Sequence, residues 1–204
     1  MLATDQLAFE IEQPREFRSG LECLILGQPN RGNRSLSTRS HVVLYVDDER
    51  LSLKHFAKAF EQDFSILTAS DAREAVALLQ KHRAEIAVLM TDQNMPGEKG
   101  VWLLEKAKTI DPTVVRILAT ASGDWEAIQD AINLGLFSFI PLPWEPEQLP
   151  HVLRRALQFY DLQCDLLRRH EAGDLSSGDY LGRLNGLRSC FGDTPSTAML
   201  VSPE

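Results

Sequence analysis

The chain has 204 residues, 44% hydrophobic and 25% charged, with a formal net charge of -8. That is room for one globular domain with extensions, and the acidic balance argues against a dominant nucleic-acid-binding surface. The three cysteines, Cys23, Cys164 and Cys190, are scattered and form no CxxC or Cys/His cluster, so neither a zinc site nor a disulfide framework is indicated and a reducing compartment fits.

Residues 1–40 lack sustained periodicity and end in "QPNRGNRSLSTRS", which reads as a linker. Asp5, Glu10 and Glu12 stand where a secretory leader would be basic and then apolar, and no apolar run approaches a bilayer span. The cytoplasm is the expected location. From residue 41 the pattern becomes strict. "HVVLYV" (41–46) is the continuous apolar, β-branched run of a strand buried on both faces. "RLSLKHFAKAF" repeats apolar residues at helical spacing. "FSILTA" (64–69) is strand-like, and "DAREAVALLQKH" opens on Asp71 as a helix cap. "IAVLMT" (86–91) is a further strand, "KGVWLLEKAKT" a helix and "TVVRILAT" (113–120) a strand. "DWEAIQDAINLG" is a helix stopped by Gly135, "LFSFI" (136–140) is the fifth strand, and a long helix follows.

Five strand and helix pairs in alternation predict an α/β fold with a doubly wound, five-stranded parallel sheet. In such folds the chemistry gathers beyond the carboxyl ends of the strands. Strand one ends in Asp47 and Asp48, strand three in Asp92, strand four in Thr120. Three carboxylates on one edge repel unless something neutralises them. A divalent cation does so, and oxygen ligands of this kind suit Mg²⁺.

With "YVDDE", "MTDQNMPG", "ATAS" and "LPW" in this order at these strand ends, residues 41–160 resemble the receiver domain of two-component response regulators. The resemblance implies a flavodoxin-like fold of receiver type and a role in phosphorelay signalling rather than an enzyme activity. It implies Asp92 as phosphoacceptor, taking a phosphoryl group from a histidine kinase or phosphotransfer protein. It implies Mg²⁺ held by Asp48, Asp92 and the backbone carbonyl of Asn94, with Asp47 holding metal-bound water. Thr120 would contact the phosphoryl group, Phe139 would be the switch aromatic, and Met95, Pro96 and Gly97 would shape the loop after the acceptor.

One position departs from the family. A lysine normally precedes the proline after strand five, and here Leu142 precedes Pro143, with no lysine beyond Lys108. The missing charge-assisted contact is of a kind worth roughly 1.5–3 kcal/mol. An alternative to the phosphoacceptor reading is therefore a phosphate-independent docking or scaffold module. A phosphatase using Asp92 is disfavoured, because Asn94 stands where that chemistry needs a second aspartate.

The expected organisation is an arm over 1–40, a receiver core over 41–145, an extended final helix over 146–170 and a flexible tail over 171–204. Leu149, Leu153, Ala156, Tyr160 and Leu167 form one apolar stripe on the final helix, and Val152, Phe159 and Leu166 a second. Two stripes need a cover beyond the helix's own domain: a coiled-coil homodimer is the preferred reading, and a helix folded back on the N-terminal arm is the alternative. The residues after 170 show no helix-turn-helix pattern, so output through protein contacts is expected, without direct DNA binding.

Overall fold

The computed structural model describes residues 41–121 and 124–191. The expected arm over 1–40, Ser122 of the "ATAS" motif, and residues 192–204 of the expected tail lie outside the described residues. The strands are β1 (Val42–Val46), β2 (Ser65–Ala69), β3 (Ile86–Asp92), β4 (Val115–Ala121) and β5 (Ser138–Leu142). The helices are α1 (Arg50–Phe60), α2 (Ala72–Lys81), α3 (Gly100–Ile110), α4 (Trp125–Asn133), α5 (Leu149–Glu171) and α6 (Ser177–Phe191).

The sheet order is β2-β1-β3-β4-β5 and every pairing is parallel. Every residue of β1 and β3 is buried, which explains why those strands read as unbroken apolar runs. One face carries α1 and α5, around Tyr45, Phe56, Phe60 and Leu153. The other carries α2, α3 and α4, around Leu79, Leu103, Leu104 and Ile128. Asp71 caps α2 as expected, accepting from the amides of Arg73 and Glu74 at 2.9 and 2.8 Å. Gly135, at φ +82°, follows the end of α4.

The fifth strand runs two residues later than the apolar run suggests, taking in Pro141 and Leu142. Proline is tolerated there because β5 is an edge strand whose outer side has no ladder bond to lose.

Residues 177–191 correct the expectation of a flexible tail: they are the helix α6. Its start is capped by a serine. Ser176 Oγ accepts from the amide of Asp179 at 3.1 Å and donates to the Asp179 carboxylate at 2.7 Å. Tyr180, Leu187 and Phe191 pack into the α1/α5 core, with Phe191 5.9 Å from Phe159 and Tyr180 stacked on His170 at 4.9 Å. Gly182 and Gly186, which weaken the pattern in the sequence, have open space around them. They lower helix propensity without disturbing the buried stripe.

Helix α6 also removes the argument for a homodimer. The second stripe of α5 needed a cover, and the same chain supplies it: Phe159 and Leu166 are buried in the core to which Leu187 belongs. Gln163, which interrupts the stripes, is buried and donates to the carbonyl of Thr113.

Candidate functional site

The order of the strands reverses between β1 and β3, so a crevice opens where these two strands end side by side, Val46 paired with Thr91. Asp47 and Asp48 follow β1 directly, and Asp92 is the last residue of β3. Asp92 is only 8% exposed, yet its carboxylate keeps two amide donors. Oδ1 accepts from the amide of Gln93 at 2.7 Å and Oδ2 from that of Asn94 at 3.2 Å. Burial raises its carboxyl above the ordinary range, the charges of Asp47 and Asp48 push the same way, and the two amides oppose them.

Asp47 is more firmly held. Oδ2 accepts from Tyr45 Oη at 2.5 Å and Ser52 Oγ at 2.6 Å, and Oδ1 from the amide of Glu49 at 2.8 Å. Burial, then the bond to Asp47, push the Tyr45 phenol up, so it remains a neutral donor. Tyr45 stacks on Phe56 at 4.2 Å, and Phe56 and Phe60 meet Trp144 at 5.9 and 5.5 Å. Asp48, by contrast, is exposed.

Thr120 is buried at the end of β4, its hydroxyl making, among the described residues, only a long 3.4 Å bond to the carbonyl of Ala121. Phe139, half-buried on β5, is in register with Leu118. Met95 is buried in the loop after Asp92, Pro96 is exposed, and Gly97 adopts φ +83°. The Leu142–Pro143 peptide is cis, and Leu142 and Trp144 pack into the α1/α5 core.

No lysine or arginine pairs with Asp47, Asp48 or Asp92 among the described residues; Lys99, in the loop after Asp92, is exposed and pairs with none of them. No group of three His, Cys, Asp or Glu side chains among them closes into a ready-made ion cage. An ion that takes one or two carboxylates and keeps its waters is what this arrangement suits. The buried Asp92, raised further by two neighbouring acids, is the observation that fits a cation.

Several residues at the site give no motif in the sequence. Gly100 starts α3 against the backbone of Asp92, where a Cβ would stand 2.3 Å from the Asp92 carbonyl oxygen. Any other residue would push α3 off the acceptor strand. Gln93 Oε1 accepts from the amide of Val101 at 3.1 Å, tying the first turn of α3 to the site. Ser52 and Tyr45 orient Asp47. A glycine directly before a helical run was the one signal that could have been read.

The family model for the response regulator receiver domain matches residues 43–154. The chain belongs to the receiver domain family of two-component response regulators. It is 36% identical to the hydrogenase transcriptional regulatory protein HoxA of Cupriavidus necator over 134 residues, 65% of this chain and 27% of that protein. It is 33% identical over 115 residues to the C4-dicarboxylate transport transcriptional regulatory protein DctD of Rhizobium meliloti, 56% of this chain and 25% of that protein. The receiver thus spans about a quarter of the length of these relatives. Among solved structures, a response regulator receiver domain protein from Clostridium thermocellum matches with TM-score 0.58 and 27% identity, covering 60% of this chain and 98% of that one. The signal receiver domain of an HD domain-containing protein from Pseudomonas fluorescens matches with TM-score 0.61 and 26% identity, over 66% and 98%. The fold is therefore a receiver, a signalling module of phosphorelays. No helix among the described residues is long and apolar enough to cross a membrane.

Proposed function

We propose that this receiver accepts a phosphoryl group on Asp92, from a cytoplasmic histidine kinase or phosphotransfer protein, and signals through protein contacts. The observation that carries this reading is a buried carboxylate at the end of β3, at the switch point in strand order and flanked by two further acids. An Asp92 carboxylate oxygen attacks the phosphorus of a phosphohistidine. A P–O bond forms, the P–N bond breaks, and the imidazole keeps the electron pair.

The remaining residues divide the work. The amides of Gln93 and Asn94 fix the orientation of the carboxylate. Thr120, whose hydroxyl has no strong partner, turns to a phosphoryl oxygen, and Phe139 on the neighbouring strand follows. Pro96 and Gly97 keep the loop clear of the acceptor, and Pro143 sets the turn into α5. Asp48, Asp92 and the Asn94 carbonyl would hold Mg²⁺, with Asp47 acting through water in the orientation that Tyr45 and Ser52 impose. When bound, the ion neutralises charge on the transferring group.

The test is exposure of the protein to acetyl phosphate and Mg²⁺, followed by intact mass. One phosphoryl group is expected on the parent and none on Asp92→Asn. An unlabelled parent would overturn the reading and leave a phosphate-independent docking module.

A further inference from the structure

At the amino-terminal end of the sheet, opposite the acids, lies a cavity of about 220 Å³. Its walls include Leu136, Phe137, Phe139 and Phe159, together with two arginines, Arg116 and Arg188. Arg116, the second residue of β4, is only 6% exposed. Its Nη1 donates to the Val114 carbonyl at 3.1 Å, and Nη2 to those of Leu134 and Gly135 at 3.4 and 3.1 Å.

A purely structural role, capping the last turn of α4, accounts for those bonds. It leaves three observations over. Nε is buried and has no hydrogen-bond partner among the described residues. No carboxylate pairs with the guanidinium among the described residues, and Asp111, whose charge reaches it, is paired with Arg83 at 3.6 Å. Above all, the second charge facing Arg116 is another cation. Arg188, exposed on α6, makes no hydrogen bond or ion pair among the described residues. Burial, with Arg188 adding to it, pushes Arg116 down to about 10, which still leaves it charged at neutral pH. Gly135 keeps the space open: a Cβ there would stand 3.3 Å from Arg116 Nη2.

A buried charge is costly without a counter-charge, and a like charge beside it adds to the cost. A bound anion relieves both. The aromatic walls require that the anion carry an apolar body, and an apolar cavity of about 150 Å³ already holds a benzene ring. We propose that this cavity binds a small organic carboxylate, with its charge between Arg116 and Arg188 and its apolar body against Phe137 and Phe159.

The test is calorimetric titration of the full chain with 1-naphthoate and with its neutral isostere 1-naphthamide, without phosphodonor or Mg²⁺, so that it succeeds or fails independently of Asp92. Saturable one-to-one binding of naphthoate is expected, about tenfold tighter than naphthamide. Arg188→Ala, an exposed and therefore fold-neutral change, should erase most of that preference while leaving naphthamide affinity unchanged. Arg116→Met should weaken naphthoate further. Equal affinity for the two compounds, no saturable binding of naphthoate, or naphthoate affinity unaltered by Arg188→Ala would overturn the proposal.

Discussion

The two ends of this sheet carry unbalanced charge of opposite sign. Among the described residues, at the carboxyl edge Asp47 and Asp92 are buried with no lysine or arginine paired to them, and at the amino edge Arg116 is buried with no carboxylate paired to it. Unpaired charges on a solvated surface cost little, because water screens them. These have been taken out of water, so each end must be neutralised in another way. The remedies differ. A carboxyl can take a proton, and Asp92 is shifted in that direction. Arg116 cannot shed its proton near neutral pH, since it is lowered only to about 10. The acid end can thus lower its charge by binding a proton, whereas among the described residues the basic end has carbonyl dipoles alone as partners.

The comparison can be broken most severely at α6, which carries Arg188 to the cavity. Leu187 anchors that helix in the core at 4% exposure. Leu187→Ala should cost about 2–5 kcal/mol in urea unfolding, and naphthoate affinity should fall with it. Unchanged stability would mean that α6 does not hold the amino end together.

At the acid end the corresponding change is Tyr45→Phe. It removes the 2.5 Å donor to Asp47 and leaves the ring stack on Phe56 in place. The loss should be about 1.5–3 kcal/mol, the range for a hydrogen bond to a charged group, read from thermal or urea unfolding. A neutral effect would show that Ser52 and the Glu49 amide suffice to hold Asp47.

The proton remedy is tested by Asp92→Asn. The folded-state carboxyl titrates above its unfolded value, so the native state binds that proton more tightly than the unfolded chain. Its contribution favours folding at low pH and is lost as pH rises through the folded value. Asp92→Asn should therefore raise Tm near pH 7 by a few degrees, about 1 kcal/mol for a chain of this size. The gap should shrink on acidification, and Mg²⁺ should narrow it by stabilising the parent alone. A gap that widens as pH falls would reverse the assigned shift.

The smallest effect is expected from restoring the family's cation. Leu142 is half-buried at the sheet edge, so Leu142→Lys adds a partly solvated charge worth about 0.2–1 kcal/mol. That should enlarge the change in hydrogen exchange over residues 120–160 on adding beryllofluoride and Mg²⁺. A parent response as large as that of Leu142→Lys would show that Thr120 alone carries the coupling.

The acid end was legible because its signal is local. An apolar run that stops on an aspartate, as β1 and β3 do, marks both the strand and the edge at which it ends, and five strands alternating with helices predict a parallel sheet. Gln93 and Ser52 were not legible as site residues, because each acts through a residue distant in sequence or on another element, whereas Gly100 left only a glycine before a helical run as its signal. The α6 helix was half legible. Its capping serine and the spacing of Tyr180, Leu187 and Phe191 were present in the sequence, and glycines on the solvent face obscured them.

The basic end was invisible in the sequence. Arg116 reads as one polar residue in an apolar strand, Gly135 as a helix stop and Arg188 as part of a loose tail. Sequence alone determined the five-fold alternation, the strand-end acids and the absence of a lysine before Pro143, because periodicity and strand ends are properties of contiguous residues. Tertiary structure alone decided that α6 packs on α5, and that Arg116, Gly135 and Arg188 meet around one cavity. Those outcomes depend on which surfaces are left to be buried once the sheet is assembled, and no single stretch of the chain carries that information.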